Sequence, residues 1–385
     1  MQKLNLSTNS RYTFWVALAL SVMVFSTACS NKTPEKKEIK APQTVLKLSP
    51  SEDNPRNSEG DFITLKDGRI LFVYSRYKGE STSDHAPAYL AGRTSSDNGK
   101  TWTTEDEVIL ENEGGMNVMS VSLLRLQNGE IAMFYLRKNS TEDCIPMLRI
   151  STDEAKTWSE AITCITDKEG YFVLNNDRVI QLKDGRLLMA VARHSFPGGE
   201  WKNQGDLFSY YSDDNGKTWK SGAQVPNDTD VITQEPGLIE MNDGRVMMYI
   251  RASGGFQRLS YSSDRGETWG PIQFSNICSP LSPATIEKIP ETGDWLMVWN
   301  FNDGADPDIR GKRTPLSTAI SKDEGNTWEH IKNIVSDPDG WYCYTAIHFL
   351  DDNQVLLGNC AGSQSQGTGL SVTDLTLLDM NWIYQ

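Results

Sequence analysis

Six times along the chain an apolar run stops at a short polar turn and then resumes. The segments are LKDGRILFVY (65–74), LQNGEIAMFY (126–135), LKDGRLLMAV (182–191), MNDGRVMMYI (241–250), PETGDWLMVW (290–299) and LDDNQVLLGN (350–359). Short apolar stretches on either side of an Asp-Gly or Asn-Gly turn predict β-hairpins, because Gly or Asn supplies the positive φ that a tight turn demands. The spacing of about 50–60 residues between segments points to a propeller or an array of one repeated unit.

A second repeat follows five of the six hairpins. It reads SSDNGKTW (95–102), STDEAKTW (151–158), SDDNGKTW (212–219), SSDRGETW (262–269) and SKDEGNTW (321–328). Each unit then reads strand, turn, strand, loop, strand, box, strand. This predicts an all-β chain, a six-bladed β-propeller of four-stranded antiparallel blades. The sixth unit has no box and draws its last strands from 368–384, with Val45–Leu48 completing the ring. The box Asp is read as scaffold. Ser and Asp at a tight turn accept backbone hydrogen bonds, and Trp buries surface where the next strand begins. A catalytic site needs different residues in different roles, and the box repeats one set five times.

Strand direction sorts the loops onto two faces. The hairpin turns and the boxes share one face, and the chemistry is expected on the other. There the second strands end in Arg76, Arg137, Arg193 and Arg251, and in Asn300 and Asn359 for the last two units. Near the starts of first strands lie Arg56, Arg178, Glu235 and Tyr344. Arg313 precedes the third strand of unit five, and Asp84 and His85 lie in the loop GESTSDHAPAY of unit one. Guanidinium groups gathered on one face of an acidic protein suit a carboxylate, sulfate or phosphate.

The chain has 385 residues and a formal charge of −14, which argues against nucleic acid as a partner. Lys3 and Arg11 precede an apolar run from Phe14 to Phe25 and the small residues Ser26-Thr27-Ala28, so residues 1–28 read as a signal peptide. Cys29 directly after Ala28 resembles a bacterial lipobox, with Ser26 where Leu is usual. Lipidation at Cys29 would anchor an exported protein to a bacterial membrane, on the periplasmic side or at the cell surface. The alternative is an ordinary signal peptide. Residues 29–44 read as the lipidated Cys and a flexible tether, and 45–385 as the propeller. The other cysteines are Cys144, Cys164, Cys278, Cys343 and Cys360. Cys343/Cys360 and Cys144/Cys164 lie symmetrically about turns, so each pair is either a cross-strand disulfide or two buried thiols. No Cys or His cluster suggests a metal.

The boxes, the hairpins and the arginine face together resemble the bacterial sialidases (neuraminidases), six-bladed propellers with repeated Asp boxes, over about residues 50–385. That resemblance implies three arginines for the substrate carboxylate, a Tyr–Glu pair as nucleophile and base, and an Asp as acid/base. In TQEPGLIEMNDGRVMMYIRASGG it assigns the Glu to Glu235 and the second Arg to Arg251. KRTPLSTAISKDEGNTW supplies the third, Arg313. WYCYTAIHFLDDNQVLLGNC supplies the nucleophile Tyr344, with Tyr342 as the other candidate. The family's Arg-Ile-Pro is replaced by PRNSEGDFITL, where Arg56 stands at the matching distance from the turn. The acid/base falls on Asp84, with His85 beside it as the alternative. Arg76, Arg193 and His85 are further candidates for substrate contact.

The expected function is that of an exo-glycoside hydrolase, a retaining exo-α-sialidase releasing terminal sialic acid without metal or organic cofactor. A tyrosine nucleophile suits this substrate, because the carboxylate on its anomeric carbon repels an anionic one. Its partner would be a glycan with an anionic terminal sugar, and it would meet the membrane only through the lipid anchor. The alternatives are an exo-glycosidase of the same fold for a uronate or sulfated glycan, or a non-catalytic glycan-binding lipoprotein.

Overall fold

The computed structural model describes residues 39–385. The signal-peptide reading of 1–28 and the lipidation of Cys29 lie outside the described residues. The expected tether runs to 44, but Gln43 and Thr44 already belong to a strand, because they pair with Leu377 and Thr376.

The elements follow the repeat. A first strand, β1 (Gln43–Leu48), precedes the units. Unit one is β2 (Asn57–Thr64), β3 (Ile70–Tyr77), β4 (Ala88–Ser95) and β5 (Glu107–Leu110). Unit two is β6 (Asn117–Arg125), β7 (Ile131–Lys138), β8 (Cys144–Ser151) and β9 (Ile162–Thr163). Unit three is β10 (Tyr171–Val173), β11 (Ile180–Gln181), β12 (Leu187–Ser195), β13 (Asp206–Ser212) and β14 (Lys220–Ser221). Unit four is β15 (Thr233–Glu240), β16 (Val246–Ala252), β17 (Phe256–Ser262) and β18 (Gln273–Cys278). Unit five is β19 (Thr285–Lys288), β20 (Trp295–Trp299), β21 (Leu316–Ser321) and β22 (Glu329–Val335). Unit six is β23 (Gly340–Leu350), β24 (Gln354–Ser363) and β25 (Thr373–Asp379).

Units one, four and five are four-stranded antiparallel sheets, and β1 pairs with β25 to make the sixth unit four-stranded as well. Units two and three depart from the expectation of separate sheets. They join into one nine-stranded sheet through the single parallel pair Tyr171↔Cys144. Unit three's first strand is split into β10 and β11, with Asp177 at φ 54° between them. The second strands carry the core: β20 is buried throughout, and β3 is buried except at Arg76. A strand buried on both faces is held by apolar contact with the sheets beside it, about 25 cal/mol per Å² of apolar surface.

All five boxes form the same turn. In the first, Thr101 donates to both oxygens of Asp97 (backbone N 2.8 Å, Oγ1 2.7 Å), and Ser95 Oγ donates to Asp97 Oδ1 at 2.9 Å. Two left-handed residues follow, Asn98 at φ 60° and Gly99 at 81°. The boxes meet the hairpin turns of the neighbouring units: Glu154 accepts from Lys66 N, Arg265 pairs with Asp184, and Glu324 accepts from Asn242 N. Boxes and hairpin turns therefore share a face, as strand direction predicts.

At the other end of the sheets, the first strands carry a recurring defect. Register slips in β2 between Ser58 and Asp61, in β6 between Met119 and Ser122, in β15 between Gln234 and Pro236, and in β23 between Cys343 and Ala346. Each slip contains one non-glycine residue with positive φ: Glu59 at 53°, Ser120 at 59°, Glu235 at 43° and Tyr344 at 56°. These are β-bulges, which bend a strand and re-aim a side chain. Pro236 fits directly after Glu235 because a bulge frees its position from donating an N–H.

The five described cysteines are unbridged. Cys343 does stand opposite Cys360, as the symmetric spacing predicts. Cys164 does not oppose Cys144: its N–H bonds Pro146 O, two residues further along, because the β8–β9 register pairs Met147 with Thr163.

Candidate active site

The four bulges open onto one cavity of about 140 Å³, lined by Glu59, Ser120, Glu235 and Tyr344 together with Asp84, Lys138, Tyr171, His194 and Trp201. Larger cavities, of about 420 and 660 Å³, lie elsewhere. One is lined by Asp61, Asp177 and Glu287, the other by Tyr342 and Asp374. The bulges are locked from behind. A Cβ on Gly60 would lie 2.4 Å from the Phe72 ring, and one on Gly237 would lie 2.2 Å from the Tyr249 ring.

Tyr344 Oη donates to Glu235 Oε1 at 3.2 Å, and Arg251 Nη1 reaches the same oxygen at 2.6 Å. Glu235 Oε2 is buried without a hydrogen-bond partner among the described residues. The Arg313 guanidinium sits over the Tyr344 ring, 5.4 Å from its centroid. Burial pushes the Glu235 carboxyl up, but the charges of Arg251 and Arg313 outweigh it and hold the carboxyl below the usual range. Burial and then the Glu235 charge raise the Tyr344 phenol well above its ordinary value, against the pull of Arg313 and Arg251. The resting pair is thus an ionised Glu beside a protonated Tyr, aligned for transfer of the phenol proton to the carboxylate.

Behind Asp84 and Glu59, Arg56, 1% exposed, donates to Asp84 Oδ1 at 2.5 Å, to Ser58 Oγ at 3.2 Å and to Glu59 Oε1 at 3.5 Å. Partial desolvation raises the Asp84 carboxyl, and Arg56 more than reverses this, leaving it below the usual range. The loop that carries Asp84 is held from unit two. Lys138 Nζ donates to Asp84 O at 2.7 Å, and Asn117 Nδ2 donates to the carbonyls of Asp84 and Ala86. Glu59 is buried beneath Arg56, and its Oε2 accepts from Ser120 Oγ at 2.7 Å. Burial raises the Glu59 carboxyl despite Arg56.

Tyr344, Glu235 and Asp84 thus line one cavity, and three arginines stand against its lining residues, Arg56 on Asp84 and Glu59, Arg251 on Glu235 and Arg313 over Tyr344. Other expected residues stand apart. Arg76 bonds Asp106 at 2.7 Å and Tyr89 Oη at 3.0 Å, and Arg193 reaches Asp206 at 3.3 Å. Each is paired within its own unit rather than with a residue that lines the cavity, and alternation along a strand sends the next residue to the opposite face. The residue after Arg193, His194, lines the cavity, as does Lys138 after Arg137. Arg178 is consumed inside, donating to Ala284 O and Thr285 Oγ1. His85 lies at the rim against Tyr171, with ring centroids 6.4 Å apart. Tyr342 lies in the separate 660 Å³ cavity, which decides between the two tyrosines in favour of Tyr344 as the cavity residue.

Glu59, Ser120, Lys138, His194 and Trp201 escaped the sequence reading. Glu59 and Ser120 are set by bulges, which leave no residue signature, whereas Lys138 and His194 each follow a conspicuous Arg. His194 Nδ1 shares a 2.7 Å hydrogen bond with Lys202 O, so Nδ1 carries the proton. Its ring stacks on the half-exposed Trp201, 4.9 Å between centroids. Among the described residues no group of three or more His, Cys, Asp or Glu stands close enough to hold a metal ion.

Residues 105–357 match the BNR repeat-like domain. A curated sialidase of Micromonospora viridifaciens is 27% identical over 347 residues, covering 77% of this chain and 51% of that protein. The chain thus spans about half the length of this relative. Among solved structures, a Dyadobacter fermentans protein of unknown function superposes with a TM-score of 0.71 at 21% identity, covering 89% of this chain and all of that one. A leech intramolecular trans-sialidase, solved with 2,7-anhydro-Neu5Ac, gives 0.69 at 13% identity over 89% of this chain and 71% of that one. These likenesses share the all-β fold.

Proposed function

The chain belongs to the BNR repeat-like family of the bacterial sialidase superfamily, and from that premise we propose that it is a retaining exo-α-sialidase built on a six-bladed propeller. The propeller reading is supported by contacts between first strands of neighbouring units, β2 with β6, β15 with β19, β19 with β23, and β23 back to β2, and by contact of unit three's second strand, β12, with β15. Cross-unit hydrogen bonds support it too, among them Asn176 to both Gly60 O and Tyr344 O.

The observation that carries the activity is the Tyr344 hydroxyl donating to a Glu235 held ionised between Arg251 and Arg313. In the proposed reaction the substrate carboxylate binds Arg251, Arg313 and Arg56. Tyr344 Oη attacks the anomeric carbon and gives its proton to Glu235 as the glycosidic C–O bond breaks. Asp84 protonates the departing oxygen. Water then attacks the same carbon and gives a proton to Asp84, while Tyr344 leaves as phenolate and recovers its proton from Glu235. The configuration at the anomeric carbon is retained over two displacements. Substrate binding also readies the acid. A carboxylate that takes Arg56 competes with Asp84 for the cation, and loss of that partner lets the Asp84 carboxyl rise toward a value fit for proton donation.

A panel of terminally capped glycans tests the reading. Release of sialic acid from α-sialosides, lost in Tyr344→Phe, supports it; release from uronate-capped or sulfated chains alone replaces the sugar; binding without release makes the protein a lectin. Export and lipidation at Cys29 belong to the same proposal. Incorporation of labelled palmitate that disappears in Cys29→Ala tests them.

A further inference from the structure

Cys343 and Cys360 are buried side by side between Arg313 and Arg56. They face each other across β23 and β24, immediately before the Tyr344 bulge. Arg313 Nη1 donates to Cys343 Sγ at 3.0 Å. On the far side Ser58 Oγ lies 3.3 Å from Cys360 Sγ, and Arg56 Nη2 donates to that same Ser58 Oγ at 3.2 Å. Contacts therefore run inward from Arg313 to Cys343 and from Arg56 through Ser58 to Cys360, and the strand register sets the two cysteines opposite each other. We propose that Cys343 and Cys360 are a positioning pair that sets the spacing of Arg313 and Arg56, and hence the width of the anion-binding side of the cavity.

Protonation distinguishes the two thiols. Burial pushes the Cys343 thiol up, but the hydrogen bond from Cys360 and the Arg313 charge outweigh it and bring it below the ordinary thiol range. Cys360 is raised by donating to Cys343 and by burial. Arg56 thus donates to Ser58 and Arg313 donates to Cys343, while Ser58 and Cys360 share a hydrogen bond between them. Of the charged neighbours, Glu235 opposes the lowering of Cys343, Glu59 adds to the raising of Cys360, and Cys343 in turn raises the Tyr344 phenol. An alkyl side chain at 343 would leave one guanidinium N–H of Arg313 buried and unpaired, a loss that forces the side chain to move. A serine would keep an acceptor there.

The inference rests on the proposed carboxylate-binding role of the arginines, so the test has one arm that needs no sugar. In ligand-free protein labelled with ¹⁵N, the Arg313 Nη nitrogens should give separate signals in the wild type and averaged ones in Cys343→Ala. Identical spectra would overturn the proposal whatever the substrate is. In the second arm the probe is 2,3-didehydro-N-acetylneuraminic acid. For Cys343→Ala its Kd and the substrate KM should rise roughly ten- to a hundredfold, the scale of one lost charge-assisted hydrogen bond, with kcat within about threefold. Cys343→Ser should return both to within about threefold of wild type. A Cys343→Ala protein that melts like wild type and binds the probe equally well sinks the idea, as does a kcat loss that serine does not rescue. If Cys343→Ala does not fold, Cys360→Ser carries the same comparison, and an unchanged KM there counts against the pair. A wild type that ignores the probe defeats the sialidase reading, while the first arm still decides the positioning role.

Discussion

Two sets of residues in this protein hold a left-handed backbone, and they differ in what is repeated. The box turns repeat backbone and side chains together: Asn98, Glu154, Asn215, Arg265 and Glu324 all sit between φ 57° and 62°, each after an Asp that accepts from a Thr. The bulges repeat only the backbone. Glu59, Ser120, Glu235 and Tyr344 share the conformation but no common side-chain pattern. A left-handed non-glycine residue costs about 1–2 kcal/mol. In the boxes the Asp and Ser hydrogen bonds offset that cost locally. In the bulges it is borne by the surrounding sheets, and what results is four side chains of three kinds, two Glu, a Ser and a Tyr, lining one cavity. Repetition of chemistry marks scaffold here, and repetition of strain with varied chemistry marks the site.

That contrast is easiest to break with activity. Tyr344→Phe and Glu235→Gln should each lower kcat by about a thousandfold or more, roughly 4 kcal/mol, while thermal melts stay near wild type. Asp264→Ala, in a box, should leave kcat alone; a hundredfold loss of turnover there would end the distinction.

Asp177 sharpens it from the side of stability, since its left-handed backbone faces the 420 Å³ cavity with Asp61 and Glu287 rather than the Tyr344 cavity. Burial pushes its carboxyl up to about 6, against an acceptor bond from Ile347 N and the Arg178 charge. A carboxyl raised above its unfolded value of about 3.9 adds stability fully only below that value and loses it as pH rises through about 6. Melting temperature should therefore drop between about pH 4 and 7, and Asp177→Asn should flatten the drop and stabilise the protein at pH 8 by about 1–3 kcal/mol. A wild-type melt that is flat across that window rules this out.

Asp264→Ala should cost about 1–2 kcal/mol, in line with loss of a capping side chain, measured by denaturant midpoint. The smallest effect belongs to Ala155, which stands at φ 62° where the other boxes have Gly. Ala155→Gly should stabilise by under about 1 kcal/mol with unchanged kinetics. A destabilised variant would show that the box tolerates Ala for reasons other than backbone strain.

The hairpins, the box turns and the two-faced arrangement were legible because each leaves a local mark: Gly or Asn where φ is positive, Asp and Thr at fixed offsets, alternating apolar positions. Even the sixth sheet, completed by β1 against β25, followed from counting strands. Unit three was less legible, since nothing in YFVLNNDRVIQL announces that its first strand breaks at Asp177. Within the site, Glu235, Arg251, Arg313 and Tyr344 were reached by resemblance, and Arg56 and Asp84 by position. Glu59 and Ser120 were not found, because a bulge is a mismatch between two strands and is written in neither one alone. Arg76 and Arg193 pair with Asp106 and Asp206 instead, for a related reason. The end of a strand is visible in sequence, but which way its last side chain points depends on the register with its partner.

By itself, then, the sequence determined the repeating unit, the turns and the face on which to look, since these follow from the preferences of a few neighbouring residues. Only the tertiary structure decided which side chains meet. Glu235 is ionised because Arg251 and Arg313 arrive from its own and a neighbouring sheet, and Asp84 is held down because Arg56 reaches it across 28 residues. Charge and desolvation act through space, and the distances that set them exist only once the sheets have packed.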